Sequence, residues 1–130
     1  MAGEQDLDKL LAQLQPSLLP GDFVFCSVAA AKYGELAELQ PIASYQEDEG
    51  LSLVLSKRSA DEAGLAYESV FCCISLLVHS SLDAVGLTAA VAGRLAANEI
   101  TANVIAAFHH DHVYVPKEKA DLALALLATL

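Results

Sequence analysis

A stretch of seven residues has a partial counterpart sixty positions further on. Leu55-Ser56-Lys57-Arg58-Ser59-Ala60-Asp61 lies over Val115-Pro116-Lys117-Glu118-Lys119-Ala120-Asp121, with Lys57/Lys117, Ala60/Ala120 and Asp61/Asp121 identical. At a second offset, Phe23 and Ser27 fall over Phe71 and Ser75. The same strand, turn, strand, helix order surrounds both copies, and that order weighs more than the letters. A chain that repeats such a unit folds as two related halves, and 130 residues leave room for both around a shared core. We place the halves at 1–66 and 67–130. The first is shortened, lacking about twelve residues where the second has its longest helix.

Hydrophobic spacing supplies the elements. Leu7, Leu10, Leu11 and Leu14 predict a short amphipathic helix over Asp6–Gln15, ended by Pro16 and Pro20-Gly21. Phe23–Val28 reads as a buried strand, and Ile42–Tyr45 and Leu51–Leu55 as a hairpin about the acidic turn Gln46–Gly50. A short helix over Ser59–Ala63 stops at Gly64. Val70–Val78 is apolar on both faces, as a strand covered on both sides requires. A helix over Asp83–Asn98 follows, with Leu87, Val91 and Leu95 as its buried stripe and Asp83 as N-cap. Ala102–Phe108 and His112–Val115 make a second hairpin, and Pro116 opens a last helix.

Composition limits the partners. The chain carries 17 acidic and 7 basic residues, a formal charge of -10, so it offers no cationic footprint for nucleic acid or an anionic membrane. With 55% hydrophobic residues it has material for a core. The start Met1-Ala2-Gly3-Glu4-Gln5-Asp6 lacks the basic and apolar stretches of a secretory signal, and no apolar run is long enough to span a bilayer. Cys26, Cys72 and Cys73 are odd in number and sit in apolar strands, which reads as reduced core cysteines of a cytoplasmic protein.

The second half orders as β, α, β, β, α, one strand short of a ferredoxin-like βαββαβ unit. The missing edge falls to a strand of the first half or to a second subunit. We therefore expect an α+β fold of tandem ferredoxin-like units, with interlocked antiparallel sheets and helices on one face.

The chain resembles small stand-alone ACT-domain proteins, related to the tandem amino-acid-binding ACT domains that regulate aspartokinases. The resemblance runs through Leu18-Leu19-Pro20-Gly21-Asp22-Phe23-Val24-Phe25, Pro41-Ile42-Ala43, Glu47–Val54, His79–Ala90 and His110-Asp111-His112-Val113-Tyr114-Val115-Pro116. It implies a sensor without chemistry of its own that binds a small amino acid or related metabolite. Unlike the aspartokinase domains, 130 residues leave no room for a tethered catalytic domain. Any regulated protein is then a separate chain, and a homodimer is the expected state. The alternative is an interaction or dimerisation module with no small ligand.

The loop entering the long helix is the first candidate site, because unpaired N–H groups at a helix start favour an anionic group such as a carboxylate. Ser80, Ser81, Leu82, Asp83, Val85, Gly86 and Leu87 stand there. Read from physics alone, Ser80, Ser81 and Asp83 serve equally as a plain helix cap; the resemblance favours a ligand site, completed by Asn103, Val104 and Ile105 on the next strand. Glu47, Asp48, Glu49 and Gly50 are a second candidate contact, for a ligand's ammonium, although a solvated acidic turn is the simpler reading and EF-hand spacing is absent. His109, His110 and His112 read as a structural hairpin rather than a metal site. No cofactor is expected. Nor is catalysis: there is no G-x-S-x-G elbow, no phosphate loop and no dinucleotide fingerprint.

Overall fold

The computed structural model describes residues 3–130; Met1 and Ala2, where the reading of the N-terminus begins, lie outside it. The described residues divide into two compact units, Pro20–Phe71 on the one hand and the segment ending at Leu19 together with Cys72–Leu130 on the other. This division differs from the linear halves 1–66 and 67–130.

In the Pro20–Phe71 unit, β2 (Phe23–Val28) pairs antiparallel with β4 (Gly50–Ser56), and β4 pairs with β3 (Ala43–Glu47). Strand alternation puts Val24, Cys26, Leu51, Leu53 and Leu55 on one face, where they bury against Ala60 of helix α2 (Lys57–Ala63). The helix starts two residues before the predicted Ser59, because the Ser56 hydroxyl accepts from the Ser59 N–H at 3.1 Å and caps it. Gly64 ends it as expected, in the left-handed region at φ 70°. Between β2 and β3 there is no α-helix, only a 3-10 turn at Ala37–Leu39. Gln46 ties that connection down. Its Oε1 accepts from the Tyr33 N–H at 2.7 Å, and its Nε2 donates to the Ala31 carbonyl at 3.3 Å.

The other unit has the longer helix. Its strands are β1 (Pro16–Leu18), β5 (Phe71–Leu76), β6 (Asn103–Ala106) and β7 (Asp111–Pro116), in the order β1-β5-β7-β6. Helices α1 (Leu7–Ala12), α3 (Leu87–Ala96) and α4 (Ala120–Ala128) supply its apolar cover. Cys72, Ile74 and Leu76 of β5 and Val113 and Val115 of β7 pack with Val91 and Leu95 of α3, Ala123 and Leu127 of α4, and Leu10 and Leu14. Fully burying a leucine contributes about 1.5–3 kcal/mol, so the two leucines of the N-terminal segment are a large share of what holds it in place.

The strand needed to complete the βαββαβ order is β1. It pairs antiparallel with β5, Pro16 against Leu76 and Leu18 against Ile74. Pro16 is tolerated because it opens an edge strand and need not donate to the ladder. Thus the residues expected only to terminate the first helix supply the fourth strand, and the two units interleave along the chain. Both faces of β5 are covered, as the doubly apolar run requires: Cys72 through Leu76 are all buried. On the face away from the helices Ser75 meets His112 Nδ1 at 2.8 Å, and the Cys73 thiol pairs with the Tyr114 hydroxyl.

Candidate functional site

Beyond β5 the chain turns through His79–Gly86 before α3 begins. Asp83 is not the N-cap of that helix. Its N–H donates to the Ser81 hydroxyl at 3.1 Å, and the Ala84 N–H donates to the Ser81 carbonyl at 3.0 Å. This tight turn delays α3 until Leu87, with Gly86 as N-cap at φ 102°. No side chain caps the helix and no carboxylate stands in its first turn.

A short N-terminal arm lies along the loop. The Glu4 N–H donates to the His79 carbonyl at 2.9 Å, and the Ser81 N–H donates to the Glu4 carbonyl at 2.8 Å. The approach is so close that a Cβ on Gly3 would stand 2.6 Å from the Ser80 carbonyl carbon, so only glycine fits. Further along, the Leu7 side chain lies against Gly86.

The tip of the β6–β7 hairpin reaches the same end of the sheet. Phe108, His109 and His79 form a triangle of rings, with centroids 5.1 Å apart for Phe108–His109, 5.2 Å for His79–His109 and 6.3 Å for His79–Phe108. Gly3, the run His79–Asp83 and Phe108 enclose a depression of about 290 Å³. Behind it, the buried Ser80 hydroxyl donates to Asp111 Oδ2 at 3.4 Å.

The structure brings Ser80, Ser81, Leu82 and Asp83 together here. Leu82 and Asp83 are exposed, and Val85 is exposed outside the depression. Leu87 belongs to the core instead, packed with Val91 and Leu95. Asn103, Val104 and Ile105 do not line the depression. Asn103 pairs with Tyr114, three rungs from the Ala106–Asp111 pair next to the hairpin tip, and Val104 packs on the core. Glu47, Asp48, Glu49 and Gly50 belong to the Pro20–Phe71 unit, where Glu47 accepts from the Ser52 hydroxyl and Asp48 and Glu49 form an exposed turn.

Gly3, Phe108 and Asp111 were not anticipated. The hairpin tip was accessible to topological reasoning, since in a βαββ order the end of the first strand and the second hairpin share one end of the sheet. The arm had no comparable signal. Among the described residues no group of three His, Cys, Asp or Glu is arranged to hold a metal ion, and no helix is long and apolar enough to cross a membrane. His112 bonds Ser75, and burial holds its imidazole below the usual histidine pKa.

Burial raises the Asp111 carboxyl above the usual carboxylate range, outweighing the Ser80 hydrogen bond and the nearby His112 and His110. Below about pH 3.9, the ordinary aspartate value, the group is protonated in folded and unfolded chains alike and carries no penalty. As pH rises through that value and then through the higher folded one, the unfolded chain ionises more readily and stability is lost. Asp111→Asn should therefore melt above the wild type at pH 7, with the gap closing as pH falls through the aspartate range; thermal unfolding across pH checks this.

Two ACT-domain family models match the sequence, one over residues 2–72 and the other over 68–129. Among solved structures, a Vibrio cholerae protein of unknown function, described as a possible transport protein, is 49% identical, with a TM-score of 0.84 over 93% of this chain and 92% of that one. An Agrobacterium tumefaciens protein aligns at 19% identity and a TM-score of 0.71, covering 87% of this chain and 85% of that one. The ligand-free regulatory subunit of aspartate kinase from Thermus thermophilus shares the fold at 13% identity and a TM-score of 0.64, covering 88% of this chain and 95% of its own. No curated protein matches the sequence. Two matched domains on two ferredoxin-like units leave one conclusion: the chain belongs to the ACT-domain family, as a tandem pair.

Proposed function

We propose that the protein is an amino-acid sensor with no catalytic activity of its own, binding its ligand at the His79–Gly86 loop and passing the signal to a separate chain. The observation that carries this reading is the depression of about 290 Å³ enclosed by the loop, the N-terminal arm and the hairpin tip, a volume suited to a single amino acid. The start of α3, three residues beyond the depression's wall at Asp83, is uncapped and has no acid in its first turn, which leaves its field favourable to a carboxylate. In the Pro20–Phe71 unit the equivalent connection lacks the helix and is clamped by Gln46, so one ligand per chain follows. Exposed Phe25, Ile42 and Tyr45 support self-association as a homodimer.

Thermal unfolding against the twenty amino acids at millimolar concentration tests the sensor reading. A ligand at about 100 times its Kd adds about 2.7 kcal/mol, a rise of several degrees in Tm. One or a few amino acids should produce this rise, and Asp83→Ala should reduce it. No rise with any of them would refute the reading and favour the interaction module.

A further inference from the structure

At the repeat's offset of sixty, Glu62 falls over Leu122. Both are exposed, yet the helices that carry them present different surfaces. The outer face of α2 is charged: Lys57 pairs with Asp61 at 2.7 Å and Arg58 with Glu62 at 3.1 Å. In α4 Leu122 is 47% exposed, Ala125 and Ala128 are exposed with it, and Asp121 is the one charged residue of the helix. A helix with no polar face is one that a neighbour covers. The adjoining α3 is alike. Its outer positions Thr88, Ala89, Gly93 and Ala96 are exposed and uncharged, and Arg94 is its one charged residue. At its C-terminal end Ala92, Ala96 and Ile100 line a depression of about 450 Å³.

We propose that the outer face of α3 and α4 is a contact between two copies of this chain, in which Leu122 of each copy enters the depression at the end of α3 in the other. Charge selects the occupant. A chain with 17 acidic and 7 basic residues repels its own kind over most of its surface, and two copies approach most readily where charge is absent. Helix direction makes the face self-complementary. Arg94, in the last turn of α3, donates to the Thr129 hydroxyl at the end of α4 at 3.0 Å, so the two packed helices end side by side. A two-fold axis normal to them turns the second copy's helices antiparallel and brings the start of one α4 over the end of the other α3. Leu122 then meets the depression, and Asp121 of one copy faces Arg94 of the other, opposite in charge. Each contact is made twice. This is a second self-contact, distinct from the exposed Phe25, Ile42 and Tyr45 of the Pro20–Phe71 unit, and it requires no ligand.

Sedimentation velocity of the full chain over a range of concentrations measures the association. Leu122→Glu and Ala96→Glu change exposed positions, and each should weaken self-association at least about tenfold with the circular dichroism unchanged. A mixture of Leu122→Cys chains with Ala96→Cys chains should, on oxidation, give a disulfide-linked dimer in a yield that neither variant reaches alone. Cys26, Cys72 and Cys73 are buried and do not compete. Association lost in Tyr45→Asp but undiminished in Leu122→Glu and Ala96→Glu would overturn the inference and leave the homodimer of the Pro20–Phe71 unit standing. No cross-link from the mixed cysteine chains would overturn it as well. A wild type that stays monomeric at every concentration would overturn both self-contacts while leaving amino-acid sensing untouched.

Discussion

A fragment of residues 72–130 should not fold by itself. It keeps β5, α3, β6, β7 and α4, but it lacks β1 and with it the antiparallel pairs Pro16–Leu76 and Leu18–Ile74. It also lacks Leu10 and Leu14, both buried in the same cluster as Ile74, Val91 and Leu95. Each absent leucine removes apolar cover worth about 2–5 kcal/mol by analogy with truncation to alanine, and together they approach the 5–15 kcal/mol by which ordinary domains are stable. Joining residues 3–19 behind Leu130 through a flexible linker of about fifteen residues should restore the fold. Far-UV circular dichroism and amide NMR dispersion distinguish the outcomes. A well-dispersed spectrum from the bare 72–130 fragment would contradict the assignment of β1 to this unit.

Gly50→Val should be the most damaging single change in the Pro20–Phe71 unit. Gly50 closes the β3–β4 turn at φ 146°, and a Cβ there would stand 2.5 Å from the Val28 carbonyl oxygen, a backbone atom with nowhere to go. Backbone strain of about 1–3 kcal/mol adds to overpacking of about 1–3 kcal/mol, so a loss of about 2–6 kcal/mol is expected in urea unfolding. Gly34→Ala is the comparison. Its φ is also positive, at 93°, but a Cβ there meets nothing within 4 Å, so only strain of about 1 kcal/mol remains.

Where one physical rule dominated a segment, its letters were enough. Leu51, Leu53 and Leu55 alternate and lie on one face; Gly64 follows a short helix and ends it. The repeat that set Lys57 over Lys117 marks, in both units, a strand running directly into a helical turn. The start of α3 was misjudged because Asp83 has the chemistry of an N-cap, while the competing bond from its own N–H to Ser81 depends on a turn that spacing does not reveal. β1 was missed for a different reason. Three residues headed by a proline carry no periodicity, and only the unfilled edge of β5 makes them a strand. The loop of the candidate site was legible as a strand-to-helix junction, but its walls were not: Gly3 lies 77 positions from Ser80 and Phe108 another 28 beyond it, and only the fold makes them neighbours. Asn103 was placed by analogy on the neighbouring strand, and the register puts it at the other end of the hairpin.

The interleaved order of the chain has a consequence during synthesis. Residues 3–19 leave the ribosome well before the surface that receives them, which is assembled from Cys72–Leu130 and is finished only when α4 has emerged. The intervening Pro20–Phe71 segment has its strands and helix in sequence order and can close while translation continues. The segment of Leu10 and Leu14 must therefore wait, its leucines uncovered, while the other unit is made. Such distant closure makes for slow maturation, and the nascent protein is most exposed to misassociation just before α4 appears.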